Sequence, residues 1–425
     1  MSLLRLGLLG LSAAISGNLR RSLSTATYSH PPWVIIQDTT MVDRSLSDPG
    51  VCFRAVDPPG VSDITAPAHL ISPRERPASD IFQLLAGDVR AASGDGHLLL
   101  NYHDLQAGRE VPWTSWEMTE DVETHRFVCN PLSGQMLRLP DIGGSKRILV
   151  HNHMGLLTQA DGGRGHGPPD RFAVADLVFN GTGLQRFLSD EGEWETVVSM
   201  PCRSLPPREL LIFQETVALG GRLWWVDLTF GVISVDPFAH RPEVCCIELP
   251  SGSVLPARAP IDGDISKAQE TVRFMQELAK YRRVGVSGGR LRYAELTPGP
   301  GGPLLLSSFA LDDEASGWML EHQVELSQVL ADGGYQLQHN SPAPQIAVLD
   351  PLNASAVHLK VGNHVVVVDV RNGKVIGASP PLPESQADCF SCVSCVLPPW
   401  LGASRIPTTG KKDDMEATDD LVICL

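Results

Sequence analysis

The sequence predicts an all-β fold, a β-propeller of about five or six four-stranded blades with one inserted amphipathic helix. Three observations lead there. The 425 residues include 39 Gly and 33 Pro spread along the chain, so many turns join many short elements. A glycine-led nonapeptide recurs with its spacing kept, and four-strand modules of similar length follow one another. The composition, 43% hydrophobic and 20% charged, is that of an ordinary packed protein with enough chain for a sizeable core.

The repeat is clearest at GGRLWWVDL (Gly220–Leu228) and GGRLRYAEL (Gly288–Leu296). Two glycines, Arg and Leu are followed by three variable residues, an acid and Leu. GNHVVVVDV (Gly362–Val370) repeats the pattern with His for Arg and Val for Leu, and DGHLLLNYH (Asp95–His103) is a weaker copy without the acid. Each reads as a tight glycine turn entering a strand, since β-branched and aromatic residues follow. A second unit ends an apolar run at Asn-Pro or Asp-Pro, in FVCNPLSG (Phe127–Gly134), ISVDPFA (Ile233–Ala239) and IAVLDPLN (Ile346–Asn353). Proline cannot continue a central strand, so these are turns. A third unit sets Trp194 and Trp318 after acidic turns, where they suit the anchoring of packed sheets.

Laid end to end, these units give modules at about 88–140, 146–201, 211–250, 282–326 and 344–380. WVIIQD (Trp33–Asp38) and VCFRAV (Val51–Val56) build a sixth blade or complete the last. Radial repetition of this kind leaves only short, protected edges. The rival arrangements are an irregular β-sandwich or two smaller β-domains. Residues 264–283 break the pattern, with Ile265, Ala268, Val272, Met275 and Ala279 at helical spacing and Ser266 with Gln269 as a capping box. This helix is expected to pack on the neighbouring blade, the alternative being a partner-binding element.

The propeller is expected to span 31–400, between a transit peptide at 1–30 and an acidic, polar tail at 401–425. Before Asp38 the chain has Arg5, Arg20, Arg21 and many serines but no Asp or Glu, which predicts mitochondrial targeting. Chloroplast import is one alternative, and secretion driven by Leu6–Gly17 is the other. That apolar run is far shorter than the roughly 20 residues a membrane span needs, so no integral membrane association is expected. The net charge of −15 excludes broad phosphate-backbone binding, and with it nucleic acid as a direct ligand.

Chemistry is sparse. Asp227, Glu295 and Asp369 take one position in three copies of the repeat, where they either line a central channel or hold turns and neighbouring strands. Catalytic carboxylates would have to converge, and equivalent residues of separate blades instead sit around a ring. Trp224 is unmatched in the other copies and is the candidate surface contact. Cys389, Cys392 and Cys395 have metal-like gaps but lack a fourth ligand nearby, which makes them apolar filler near the C-terminal edge. His151, His153 and His166 flank a glycine-rich run without the spacing of a phosphate loop, so an inter-strand loop is expected. No nucleotide, serine-hydrolase or zinc-protease motif occurs, and no catalytic residue, metal or cofactor is expected.

At GGRLWWVDLTFGVISVDPF (Gly220–Phe238) the chain resembles a plant family, abundant in grasses, the domain of unknown function 1618 family. RRVGVSGGRLRYAEL and the tryptophan after an acidic turn are similar to that family as well. The family is in turn similar to propeller-like, kelch-like regions that follow an F-box in plant proteins. No F-box segment is present at the N-terminus here, so a ubiquitin-ligase role is not carried over. The resemblance implies no activity and supplies no catalytic residues. The function expected is a non-enzymatic interaction scaffold for an unidentified protein partner. The alternative is an enzyme or small-ligand binder using polar residues of the channel.

Overall fold

The computed structural model describes residues 30–71, 81–108, 122–143, 153–160, 167–178, 183–198, 200–202, 215–257, 265–299, 302–335, 342–383 and 391–408. The transit-peptide stretch before residue 30, the tail beyond 408, Cys389, His151 and His166 lie outside them.

Strands dominate. The chain opens with β1 (Trp33–Gln37), β2 (Thr39–Asp43), β3 (Cys52–Arg54) and β4 (Val61–Pro67), followed by the single turn α1 (Ala68–Ile71). Four strands then fold back and forth as a meander: β5 (Ile81–Ala92), β6 (Leu98–Gly108), β7 (Val122–Cys129) and β8 (Met136–Arg138). A second meander is β9 (Gly155–Gln159), β10 (Arg171–Val178), β11 (Gly183–Leu188) and β12 (Trp194–Val197). A third is β13 (Glu215–Leu219), β14 (Arg222–Asp227), β15 (Gly231–Val235) and β16 (Cys245–Glu248). Helix α2 (Ile265–Ala279) precedes the fourth: β17 (Arg282–Ser287), β18 (Arg290–Pro298), β19 (Leu304–Leu311) and β20 (Trp318–Glu325). After α3 (Leu326–Asp332) comes the fifth: β21 (Gln345–Leu349), β22 (Ala356–Val361), β23 (His364–Asp369) and β24 (Lys374–Ala378). The last strand is β25 (Cys392–Val396).

The last four meanders are separate four-stranded antiparallel sheets. The β5–β8 meander continues through β2 and β4 into a nine-stranded sheet that ends at β1 and β25. There the end of the chain returns to its beginning, as β25 pairs antiparallel with β1 from Trp33↔Val396 to Gln37↔Cys392. First strands of successive meanders pack on one another: β5 on β9, β9 on β13, β13 on β17 and β17 on β21. Strand β21 packs on β25, and β25 on β5, which brings the series back to its start.

The core lies between sheets rather than inside one. Leu99, Val128, Leu156 and Phe172 fill the layer between the first two meanders, and Leu177, Leu184, Leu223 and Trp225 the next. Trp224, Val226, Leu291 and Tyr293 fill the third layer, and Ala294, Leu296, Val357 and Leu359 the fourth. Val348 and Val365 meet Trp33, Ile35 and Cys392, while Val34, Ile36 and Cys395 meet Leu98, Leu100 and Tyr102. Middle strands such as β14, β15 and β23 are therefore apolar on both faces and read as near-continuous hydrophobic runs, which is what burial between two layers demands. Packed sheet faces in sequence with meander connectivity are the architecture of a β-propeller.

The repeat survives in part. Gly220 and Gly221 have φ of 62° and 72°, and Gly288 and Gly289 have 59° and 77°, so both pairs make the turn that requires two positive φ values. Each joins the first strand of its sheet to the second. GNHVVVVDV instead joins the second strand to the third, β22 to β23, because IAVLDPLN is the first strand of that sheet. Asp369 is thus not the counterpart of Asp227 and Glu295; a glycine turn with an acid six or seven residues on recurs wherever hairpins are tight. The helix ends at Ala279, four residues short of expectation, since Arg282 already belongs to β17. Met275 is buried and Leu278 and Ala279 join the third core layer, but Val272 is exposed. The side chains of Ile265, Ser266, Ala268 and Gln269 lie outside the described residues.

Candidate functional site: the central cavity

The first strands surround a cavity of about 760 Å³, walled by β5, β13, β17, β21 and β25 and by the end of α2. Most of its charge comes from residues the repeat pattern did not single out. Arg283, on β17, sets Nε 2.7 Å from Oε1 of Glu215 on β13. Its terminal Nη2 donates to the carbonyl of Cys392 on β25. One guanidinium therefore ties β17, β13 and β25 together at the cavity wall. Its side chain is 13% exposed and that of Glu215 is 17%.

Asp38, in the single-residue link between β1 and β2, also faces the cavity and accepts a hydrogen bond from Thr39 Oγ1 at 3.2 Å. Burial pushes its carboxyl above the ordinary range, against the opposing pull of Ser391, Thr39 and Arg283. Burial raises Glu215 as well, and Arg283 pulls it back down. Strand β5 adds Arg90, which stands where the ladder to β6 slips between Val89 and Ala91, and its Nε lies 2.7 Å from Asp88 Oδ1. Lys280, just beyond α2, contacts Glu277 at the rim.

The repeat carboxylates have other duties. Asp227 is fully buried, and its Oδ1 accepts from the Thr229 amide (2.8 Å) and hydroxyl (2.6 Å), fixing the corner between β14 and β15. Glu295 Oε2 accepts from Tyr293 Oη (2.7 Å) and Ser253 Oγ (2.9 Å), with Arg282 3.8 Å away. Arg282 in turn donates to the carbonyls of Leu228 (2.8 Å) and Ser253 (2.6 Å), so the network clamps the fourth meander to the third. Asp369 caps the β23–β24 turn through the amides of Arg371 and Asn372. Glu295 pairs with Arg282 at the start of β17, and Asp227 lies beside the start of β13, while Asp369 pairs with Ala356 near the end of β21. The three do not converge, and none lines the cavity.

Trp224 is 7% exposed, packed in the third core layer, and its indole N–H donates to Leu219 O at 3.2 Å. Its neighbour Trp225 donates to His153 O at 2.8 Å, reaching the preceding sheet. Trp194 and Trp318 do the same from the outermost strands, to Pro140 O and Glu248 O at 2.8 Å each. Cys392 and Cys395 are buried in two different core layers, on an innermost strand rather than at an edge. They cannot share one ion.

The sequence signal for the cavity charges was the doublet Arg282–Arg283 opening a first strand. Alternation gives adjacent residues different destinations. Arg282 met its buried glutamate, and Arg283 was left to face the cavity.

Fold and cavity together define the class: a mostly β protein of propeller type, several four-stranded sheets around a charged central cavity. Residues 225–358 match the model of a family described as protein of unknown function, DUF1618. A search of curated proteins finds no match. Among solved structures the chain is similar to a putative 6-phosphogluconolactonase from Bacteroides uniformis, at TM-score 0.34 and 11% identity, over 85% of this chain and 100% of that one. It is similar to YCF48 bound to D1 peptide, at TM-score 0.33 and 9% identity, over 82% and 84%. A third is the Cps50 (Swd1) β-propeller domain of Myceliophteria thermophila, at TM-score 0.26 and 11% identity, over 61% and 83%.

Proposed function

We propose that the chain is a six-bladed β-propeller of a plant protein that serves as a non-enzymatic interaction scaffold in mitochondria. Six core layers and the return of the first-strand series to β5 support the blade number, with β25, β1, β4 and β3 as the sixth blade. The plant assignment rests on the resemblance of Gly220–Phe238, and the compartment on the acid-free, arginine- and serine-bearing stretch before Asp38.

The observation that carries the scaffold reading is on β20, the outermost strand of its sheet. The ladder to β19 slips at Ser308/Phe309, where Glu321 is the extra residue, and Met319 and Leu320 stand 49% and 54% exposed beside it. An eight-residue edge strand with adjacent exposed apolar side chains offers a backbone ladder and an anchor to an extended partner segment. A pulldown from mitochondria should recover a partner with the wild-type chain and lose it with the double variant M319K/L320K. No reproducible partner, or one indifferent to these residues, would sink the assignment. Fusing residues 1–40 to a fluorescent reporter tests the compartment, and a diffuse signal would remove it.

A further inference from the structure

The cavity contains one feature that holding sheets together does not use up. A guanidinium has five N–H donors. Arg283 directs Nε at Glu215 and Nη2 at the Cys392 carbonyl, and among the described residues its Nη1 makes no hydrogen bond. Glu215 pairs with Arg283, and a second carboxylate, Asp38, faces the same cavity. Both carboxylates face the cavity, where an ammonium group would meet negative charge, and burial raises both, so a neighbouring cation favours their charged forms. The rest of the wall is mixed: Arg90, Lys280 and Lys360 add charge, and Val217, Gly285, Val286 and Val393 form a small apolar patch.

We propose that this cavity binds a short zwitterionic peptide, its carboxylate on the free edge of Arg283 and its ammonium between Asp38 and Glu215. Both charges of such a ligand meet a fixed opposite charge, and its side chains meet the apolar patch. A volume of about 760 Å³ exceeds the need of one amino acid and suits two or three residues. The planar guanidinium edge favours a carboxylate over a point anion.

The test is calorimetric titration of the full chain with three probes: Ala-Leu, its N-acetylated form and its C-amidated form. The zwitterion should bind, and each blocked form should bind about tenfold or more weakly, the loss of one charged contact. R283K should erase the difference between free and amidated peptide, and the double variant D38N/E215Q the difference between free and acetylated peptide. Because Arg283 also joins sheets, each variant is accepted only with an unchanged circular dichroism spectrum, and D38N alone, which leaves the Arg283–Glu215 pair intact, serves as the second variant. Equal binding of all three probes, or no binding at about 10 mM, overturns the proposal. Partner capture through Met319 and Leu320 should survive R283K, so failure of one reading is distinguishable from failure of the other.

Discussion

Asp176 shows how far a single side chain can set the response to pH. It sits on β10, 4% exposed, and burial raises its carboxyl to about 7 although backbone amides and the more distant Arg126 favour the charged form. The folded value lies above the unfolded one. The stability this group confers is therefore complete below about pH 4 and is lost as pH rises through about 7. D176N should be more stable than wild type at pH 8 by on the order of 1–2 kcal/mol, and the gap should narrow at pH 5 and close only near pH 4, read by urea unfolding across that range. Glu295 carries a structural load instead, accepting from Tyr293 and Ser253 beside Arg282. E295Q should cost about 3 kcal/mol, because it removes the countercharge of the buried Arg282 and leaves that guanidinium with only its carbonyl acceptors. Thermal unfolding checks it, and an unchanged midpoint would remove the clamp from the account. At this scale the sequence was half legible. The acids at positions 227 and 295 announced themselves by repetition, and hydrogen-bonding to turns and strands was one of the two duties expected. Asp38, Glu215 and Arg283 belong to no repeat, and their meeting depends on how three distant strands are brought around one cavity.

Among the elements, the hairpins and the outer tryptophans carry the legible part. Glycine pairs predicted the turns at 220–221 and 288–289 because only that residue adopts positive φ twice without strain. An added Cβ at Gly220 or Gly221 meets nothing within 4 Å, so alanine there should cost only its backbone penalty, about 1 kcal/mol at each position. A much larger loss in urea unfolding would mean that the turn does more than reverse the chain. Trp318→Phe should lose about 1 kcal/mol with the Glu248 carbonyl left to water, and Trp194→Phe a similar amount. What periodicity could not resolve was the order of strands inside a sheet. GNHVVVVDV and GGRLWWVDL look alike because a strand buried on both faces is apolar whether it comes second or third. The amphipathic reading of α2 likewise failed at Val272, since the helix stands at the cavity rim and has less surface to bury than its sequence allows.

Over the whole molecule, the modules 211–250, 282–326 and 344–380 were visible from the sequence because their strands and turns lie in one unbroken stretch. The sheet around β1 was not, because it is assembled from both ends of the chain. A variant ending at residue 383 should leave β1 without β25 and open the two core layers that Cys392 and Cys395 fill. We expect it to unfold in a broader transition and to be cleaved faster by limited proteolysis near β1. Retention of a sharp transition would show that β25 is dispensable.

The pairing of Trp33 with Val396 also has a consequence for biosynthesis. During translation β1 emerges hundreds of residues before the strand that covers it, and contacts so distant in sequence form slowly. Until the ribosome has released β25, the nascent chain carries an open apolar edge at Val34–Ile36. A holding chaperone would find its substrate there, and release would coincide with the arrival of the last strand.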